Sequence, residues 1–221
     1  MKKIVCLLLL ITCLFTVCSC DNLGFLDGLG GIVPGGGEEV LSIPEIVANS
    51  KPATVNTLVS YTGEDVLEGS YVTKTDGTYS VFEYEYDRYA TVAEMSHSRI
   101  KTVSGKVYYK DGMVLTSEGE GWVSSEINQI VDFSLRIDES NFETYKLSKD
   151  RKTLTGTVTS ENSERVLGAN IAANGVISVE IVTNGTYLYY IYLSYTSANG
   201  AAVTISTSYD YSPVVVEVPA E

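Results

Sequence analysis

The last third of the chain constrains the fold most strongly, because residues 175–212 have the pattern of three antiparallel strands joined by two short turns. Asn184-Gly185 lies between two alternating apolar runs. Asn-Gly in this position predicts a hairpin with a type I′ turn, since both residues accept the positive φ that the turn requires. A second turn is predicted over residues 197–200. The predicted strands are residues 176–183, 186–196 and 201–211.

The middle strand of this meander is apolar on both faces. Side chains alternate between the two faces of a strand, so they divide into two sets. The first set is Tyr187, Tyr189, Ile191, Leu193 and Tyr195, and the second is Leu188, Tyr190 and Tyr192. A strand of this kind is expected to be covered on both sides. A helix, a further sheet layer or a ligand should therefore lie against the second face.

The upstream sequence has the same period of two, interrupted by turn residues such as Asp76-Gly77. Further strands are predicted over residues 54–61, 66–75, 78–89, 100–110, 113–117, 142–148 and 153–159. Short helices are predicted after Ser42, which forms a capping box with Glu45, over residues 127–131, and over residues 160–167. The chain is thus expected to be mainly β: a strongly curved antiparallel sheet or half-open barrel of about ten strands with two or three short helices.

The N-terminus has the pattern of a secretory signal. Met1-Lys2-Lys3 is basic, and the apolar run of residues 4–17 is shorter than the roughly 20 residues of a membrane span. Val17-Cys18-Ser19-Cys20 resembles the lipobox of bacterial lipoproteins. The resemblance implies that residues 1–19 are removed as a signal peptide and that Cys20 becomes the lipidated N-terminus, whose acyl chains hold the protein on a membrane. A plain secreted protein cut near the same point is the alternative.

Cysteine usage and composition predict the remaining domain boundaries. All four cysteines lie at or before Cys20, so the mature body would contain no disulfide and would depend on its hydrophobic core. Residues 20–40 are rich in glycine and are expected to form a flexible, lipidated tether. A single β-rich domain is predicted over residues 41–213, followed by a C-terminal tail over residues 214–221.

The charge of the chain limits its partners. Of its 15 Lys plus Arg residues, Lys2 and Lys3 lie in the predicted signal, so the mature chain would have 13 basic and 28 acidic residues, a net charge of −15. Nucleic acids and anionic membrane surfaces are poor partners for such a protein, because both require positive charge to release counterions.

No arrangement of residues predicts catalysis, a metal site or a cofactor. His97 is the only histidine, and no Gly-x-Ser-x-Gly sequence accompanies it. The oxygen-bearing residues 138–143 lack the glycine and the ligand spacing of a calcium loop, so a solvated turn is the better interpretation. Asn184-Gly185-Thr186 matches a glycosylation acceptor but is better explained by the hairpin. The chain is therefore expected not to be an enzyme.

The order of the predicted elements resembles a family. A helix before the first strands, a strand, Asp-Gly, strand and tryptophan unit over residues 106–122, a mid-chain helix and a final meander are similar to the LolA/LppX-like carrier lipoproteins. The resemblance spans residues 43–213. It implies a curved sheet around helices, with an apolar cavity that holds a lipid or an acyl chain. The residues then expected to line the cavity are Tyr187, Tyr189, Ile191, Leu193, Phe82, Tyr84 and Trp122.

Two functions follow as expectations. The first is a non-enzymatic, membrane-anchored lipoprotein that binds an apolar ligand. It is expected to be monomeric and to lie in the cell envelope, either facing outward from the cytoplasmic membrane or in the periplasm. The second is a surface-displayed module that binds protein or polysaccharide through an exposed face. A carrier should have an apolar cavity of roughly 300 Å³ or more, whereas an interaction module should have a filled core and an outward binding patch.

Overall fold

A computed structural model describes residues 42–62, 66–91, 93, 99–110, 112–116, 121–124, 139–168 and 170–219. These residues form eleven strands in one antiparallel sheet, together with two short helices and a 3-10 turn at Glu139–Asn141. The strands are β1 Thr54–Thr62, β2 Val66–Thr75, β3 Ser80–Tyr89, β4 Ile100–Lys110, β5 Met113–Thr116, β6 Val123–Ser124, β7 Thr144–Leu147, β8 Thr153–Thr159, β9 Val176–Thr183, β10 Leu188–Thr196 and β11 Ala202–Asp210. The helices are α1 Ile43–Asn49 and α2 Ser160–Leu167.

The sheet is built from two meanders that meet at its centre. Its strand order is β6-β5-β4-β3-β2-β1-β11-β10-β9-β8-β7, so the first and last strands of the chain pair with each other. This pairing runs from Thr54 opposite Asp210 to Thr62 opposite Ala202. Strands β6 and β7 form the two edges, and the sheet does not close into a barrel. The expectation of a curved, open antiparallel sheet of about ten strands with short helices is confirmed.

One face of the sheet, here called the inner face, packs against the helices. On β1 this face carries Val55, Thr57 and Val59, whereas Leu58 and Ser60 point to the opposite, outer face. The inner side chains of most strands join one hydrophobic core with α1, α2 and Phe142. A smaller cluster on the outer face contains Val81, Tyr108, Leu115 and Val216. Most of the hydrophobic stabilisation therefore comes from a single side of the sheet.

Local capping chemistry explains where both helices begin and end. At the start of α1 the Ser42 hydroxyl accepts from the Glu45 backbone N–H at 3.4 Å, and the Glu45 carboxylate accepts from the Ser42 N–H at 2.7 Å. Helix α2 begins after Thr159, whose side chain caps the Asn162 N–H, and it ends at Gly168 with a φ of 68°. The predicted capping box of Ser42 and Glu45 is confirmed, as are the predicted bounds of α2.

The helices lie over different parts of the inner face. Helix α2 packs against β8 and β9. Helix α1 is joined to the start of β10 by Ser50, a buried residue whose hydroxyl accepts from the Leu188 N–H at 2.8 Å and donates to the Ile46 carbonyl at 2.7 Å. The helix predicted over residues 127–131 lies outside the described residues, as do the signal and tether of residues 1–41.

The turn at Asn184 differs from the predicted type I′ turn. Gly185 has a φ of 98°, but Asn184 does not have a positive φ. The Asn184 side chain instead accepts from the Thr186 and Tyr187 N–H groups at 2.9 and 2.8 Å, which makes a wider Asx turn. Strand β10 consequently starts at Leu188, two residues later than predicted. Because an Asn side chain can replace a backbone acceptor, the dipeptide alone did not determine the turn type.

Candidate functional site

A row of four aromatic rings runs across the inner face of β2 and β3. Successive ring centroids are 6.1 Å apart between Tyr71 and Phe82, 5.9 Å between Phe82 and Tyr84, and 6.2 Å between Tyr84 and Tyr86. The distances are in the range of favourable aromatic pairs. Tyr71, Phe82 and Tyr86 are buried and Tyr84 is half-buried. These four residues are called the aromatic row below.

Glycines allow some of these rings to lie flat on the sheet. Gly105 of β4 pairs with Tyr84, and a Cβ at Gly105 would overlap the Tyr84 hydroxyl. At Gly69 a Cβ would lie 2.6 Å from the Tyr71 hydroxyl. Any residue other than glycine at position 69 or 105 would thus place its side chain in the space that the tyrosine ring occupies. The inner face of β2–β4 is consequently lined by closely packed, mostly buried aromatic rings.

Burial raises the pKa of several tyrosines on this face. Desolvation raises the pKa of Tyr71, and the nearby Tyr61 and Tyr86 hydroxyls raise it further. Burial also raises the pKa of Tyr109, which packs against the same core. A phenol with a raised pKa is a poor general base near neutral pH. The surface is therefore suited to apolar contact with neutral hydrogen bonding.

The structure brings four of the predicted ligand residues onto this inner face. Phe82 and Tyr84 belong to the aromatic row. Ile191 and Leu193 are buried on β10, where they face Thr207 and Ile205 of β11. Ile191 and Leu193 therefore belong to the same hydrophobic core as the aromatic row, but they lie on the other half of the sheet.

The predicted alternation of the middle strand is wrong at its beginning. A β-bulge between Leu188 and Tyr190 shifts the register, so that Leu188 is buried while Tyr189 is 62% exposed. Tyr187 lies in the preceding turn, 44% exposed, and stacks on Tyr211 at a centroid distance of 4.7 Å. Tyr189 does not share a face with Ile191, because the extra residue in the bulge reverses the alternation, and Tyr187 precedes the strand.

Trp122 also lies away from the residues with which it was grouped. It is half-buried on the outer face, where it packs 6.4 Å from Tyr79 and against the small outer cluster. Phe82 and Tyr84 point to the inner face. A single cavity therefore cannot be lined by both Trp122 and the aromatic row. The physical reason is the alternation of β3, which places Val81 outward and Phe82 inward.

The outer face carries two rows of polar side chains that cross the sheet at right angles to its strands. Along the first row, each residue is the direct cross-strand partner of the next. This row is Thr102, Asp87, Glu68, Ser60, Thr204, Ser194, Ser178, Thr157 and Thr144. The second row, paired in the same way, is Ser104, Glu85, Ser70, Leu58, Ser206, Tyr192, Glu180, Thr155 and Lys146.

Two hollows lie over these rows. The first has a volume of about 420 Å³ above β3, β2, β1 and β11, and the second has about 460 Å³ above β10, β9, β8 and β7. They adjoin where Ser194 pairs with Thr204 and Tyr192 pairs with Ser206. The two adjoining hollows are together called the outer trough below, and they extend over eight strands and therefore roughly 34 Å.

Elsewhere on the outer face the charged side chains pair with one another. Glu83 accepts from Lys106 at 2.7 Å and from Lys74 at 3.0 Å, and these contacts, led by the Lys106 hydrogen bond, lower the pKa of Glu83. Among the described residues, no three His, Cys, Asp or Glu side chains gather as they would to hold a metal ion. Within the same part of the chain, no helix is long and apolar enough to span a membrane.

Comparisons with known proteins do not assign the chain to a family. No protein-family model matches the sequence, and no curated protein matches it. Among solved structures, the chain is similar to the hypothetical protein CT021 from Chlamydia trachomatis, with 9% sequence identity and a TM-score of 0.35. That alignment covers 82% of this chain and 98% of the other.

Sequence reasoning did not find the outer trough. Its residues come from eight strands, and each strand contributes only two or three of the lining residues. A local signal is present in the alternation of Ser and Thr with apolar residues along single strands. His97 and Asp138 lie outside the described residues, as does the lipidation candidate Cys20.

Proposed function

We propose that the chain is a membrane-anchored lipoprotein of the cell envelope, held by lipid on Cys20, that binds an apolar ligand and has no enzymatic activity. The observation that carries this proposal is the aromatic row on the inner face of an open, curved sheet. In this proposal the ligand is a lipid or an acyl chain, and the protein acts as a monomer on the outward side of the cytoplasmic membrane or in the periplasm.

The placement of the helices supports the inner face of β2–β4 as the ligand surface. Helix α2 packs on β8 and β9, on the other half of the sheet from the aromatic row. Tyr84 of the aromatic row and Val103 of β4 are both half-buried, and they point to the same face of the sheet. Ligand sites are mostly apolar and aromatic with a few polar groups, and flat tyrosine rings supply both.

Mass spectrometry tests the anchor and the ligand separately. The full chain, isolated from bacterial membranes in mild detergent, should carry a diacylglycerol-sized covalent mass at Cys20 that survives organic extraction. A bound lipid should be removed by the same extraction and be identified in the organic phase. A chain with an intact signal or an unmodified Cys20 contradicts the anchor, and an extract without stoichiometric lipid contradicts the ligand.

A pair of variants distinguishes ligand binding at the inner face from binding at an exposed tyrosine elsewhere. Tyr84→Ser shortens a half-buried side chain in the aromatic row, whereas Tyr189→Ser removes a ring that is 62% exposed in the bulge of β10. We expect the first variant to recover at least fivefold less lipid per protein and the second to match the wild type. Equal recovery from both variants would place any lipid away from the aromatic row.

A further inference from the structure

We propose that the outer trough is a binding site for a linear polysaccharide that carries no acidic groups. This inference goes beyond the proposed lipid ligand, because the trough lies on the opposite face of the sheet from the aromatic row. The length of the trough is the first observation that supports it. Short Ser and Thr side chains form most of the floor, and the two adjoining hollows make an extended site for a chain of several sugar rings.

Hydroxyl groups dominate the floor. Ser and Thr hydroxyls both donate and accept hydrogen bonds, as sugar hydroxyls do. The side chains are already positioned by the sheet, since each is the cross-strand partner of the next; Thr144 and Thr157, for example, have their hydroxyl oxygens 2.8 Å apart. A floor of this kind is preorganised for a polymer that presents a regular series of hydroxyls.

Carboxylates in the trough have unused capacity for hydrogen bonding. Glu180 is half-buried there and Glu68 and Glu85 are exposed, and none of the three forms a hydrogen bond or ion pair with a described residue. An ionised carboxylate accepts charge-assisted hydrogen bonds from hydroxyl or ammonium donors. Asp87 adds a further carboxylate near Glu68 and accepts from the Thr102 hydroxyl at 2.7 Å. The first hollow would therefore repel an acidic polymer.

The apolar content of the trough fits a sugar better than a protein. Leu58, 58% exposed, and half-buried Tyr192 are the apolar side chains that point into it from the outer face. The C–H faces of sugar rings need such isolated apolar platforms. The core of a protein interface, by contrast, is enriched in aromatic residues and depleted in charged ones. The trough also lies over paired strands, so strand addition at a sheet edge does not account for it.

The experiment measures polysaccharide binding by the full chain in mild detergent. Affinity electrophoresis and calorimetry would be performed with amylose, a mixed-linkage β-glucan and chitosan oligomers, and with polygalacturonate as an acidic polymer. We expect at least one of the neutral or amine-bearing polymers to bind and polygalacturonate to bind at least tenfold more weakly. Binding of polygalacturonate alone, or of none of the four, would overturn the proposal.

Two substitutions on one strand localise the site. Thr204→Arg fills the trough, whereas Ser208→Arg adds the same charge on the same face of β11 but outside the trough. Thr204→Arg should weaken binding at least tenfold, and Ser208→Arg should change it less than twofold. Equal effects of the two substitutions would refute the site. Thermal unfolding of both variants verifies that they are folded, and unchanged lipid recovery from Thr204→Arg distinguishes this site from the inner face.

Discussion

Asp76→Asn should release the C-terminal tail from the outer face without breaking the turn in which Asp76 lies. One oxygen of the Asp76 carboxylate accepts from the Thr78 and Tyr79 N–H groups at 2.9 and 2.8 Å. The other oxygen accepts from the Val216 N–H at 3.1 Å. Asn keeps the first oxygen but replaces the second with an amide nitrogen, which cannot accept. The substitution therefore removes only the bond to Val216.

The chain contains its own control for this reasoning. Thr183-Asn184-Gly185-Thr186-Tyr187 repeats residues 75–79 with Asn in place of Asp, and the Asn184 oxygen makes the same two backbone hydrogen bonds. An asparagine thus maintains this turn. Asn184→Asp should accordingly change the free energy of unfolding by less than about 0.5 kcal/mol, as expected for a surface substitution.

The magnitude follows from the lost bond and the side chain that it holds. Hydrogen bonds to charged groups contribute roughly 1.5–3 kcal/mol, and the exposure of Asp76 places this bond below that range. Val216 is 7% exposed, and complete release of a buried valine costs roughly 1.5–3 kcal/mol. We expect Asp76→Asn to lower the free energy of unfolding by about 1 kcal/mol and to speed hydrogen exchange at the Val216 amide.

The dependence on pH provides a second measurement. Backbone hydrogen bonds, above all that from Tyr79, lower the pKa of Asp76, so its contribution is present above the ordinary pKa of about 3.9 and is lost as the pH falls through the folded-state pKa. Urea unfolding of the full chain at about pH 7 and about pH 2 should show the difference between wild type and Asp76→Asn only at the higher pH. Equal stability at neutral pH, or a difference that persists in acid, would refute the reasoning.

Four further substitutions test the packing of the inner face and the pairing on the outer one. Ser50→Ala leaves the buried Leu188 N–H without its acceptor and should lower the free energy of unfolding by roughly 1–3 kcal/mol, measured by urea titration; no loss would contradict the link between α1 and β10. Gly156→Ala, whose Cβ would lie 2.5 Å from a backbone oxygen, should cost about 1–3 kcal/mol and more than Gly105→Ala, where only the end of a tyrosine ring must move; the reverse order would disprove this. Glu83→Gln should cost less than about 1 kcal/mol at neutral pH, and because salt bridges lower the Glu83 pKa, the difference should fade in acid, as a pH series of thermal unfolding would reveal.

Much of the local structure was predictable because the signals for it are local. The predicted bounds of β2, β4, β8, β9 and α2 match the structure residue for residue. Alternation with a period of two, glycine at a positive φ beyond a helix, and the Ser42–Glu45 capping box each act over a few neighbouring residues. The candidate site was predicted only in part: Phe82 and Tyr84 lie on one inner surface, whereas Trp122 lies on the outer face.

The sequence by itself determined most of the strands, the capping box of α1 and the antiparallel class of this protein. Tertiary structure decided which side chains meet. The pairing of β1 with β11, which brings Thr57 opposite Thr207, and the bulge that separates Tyr189 from Ile191 have no signal in neighbouring residues. Side chains alternate with a period of two, so one extra residue inverts a face, and only the assembled sheet places the aromatic row on one side and the outer trough on the other.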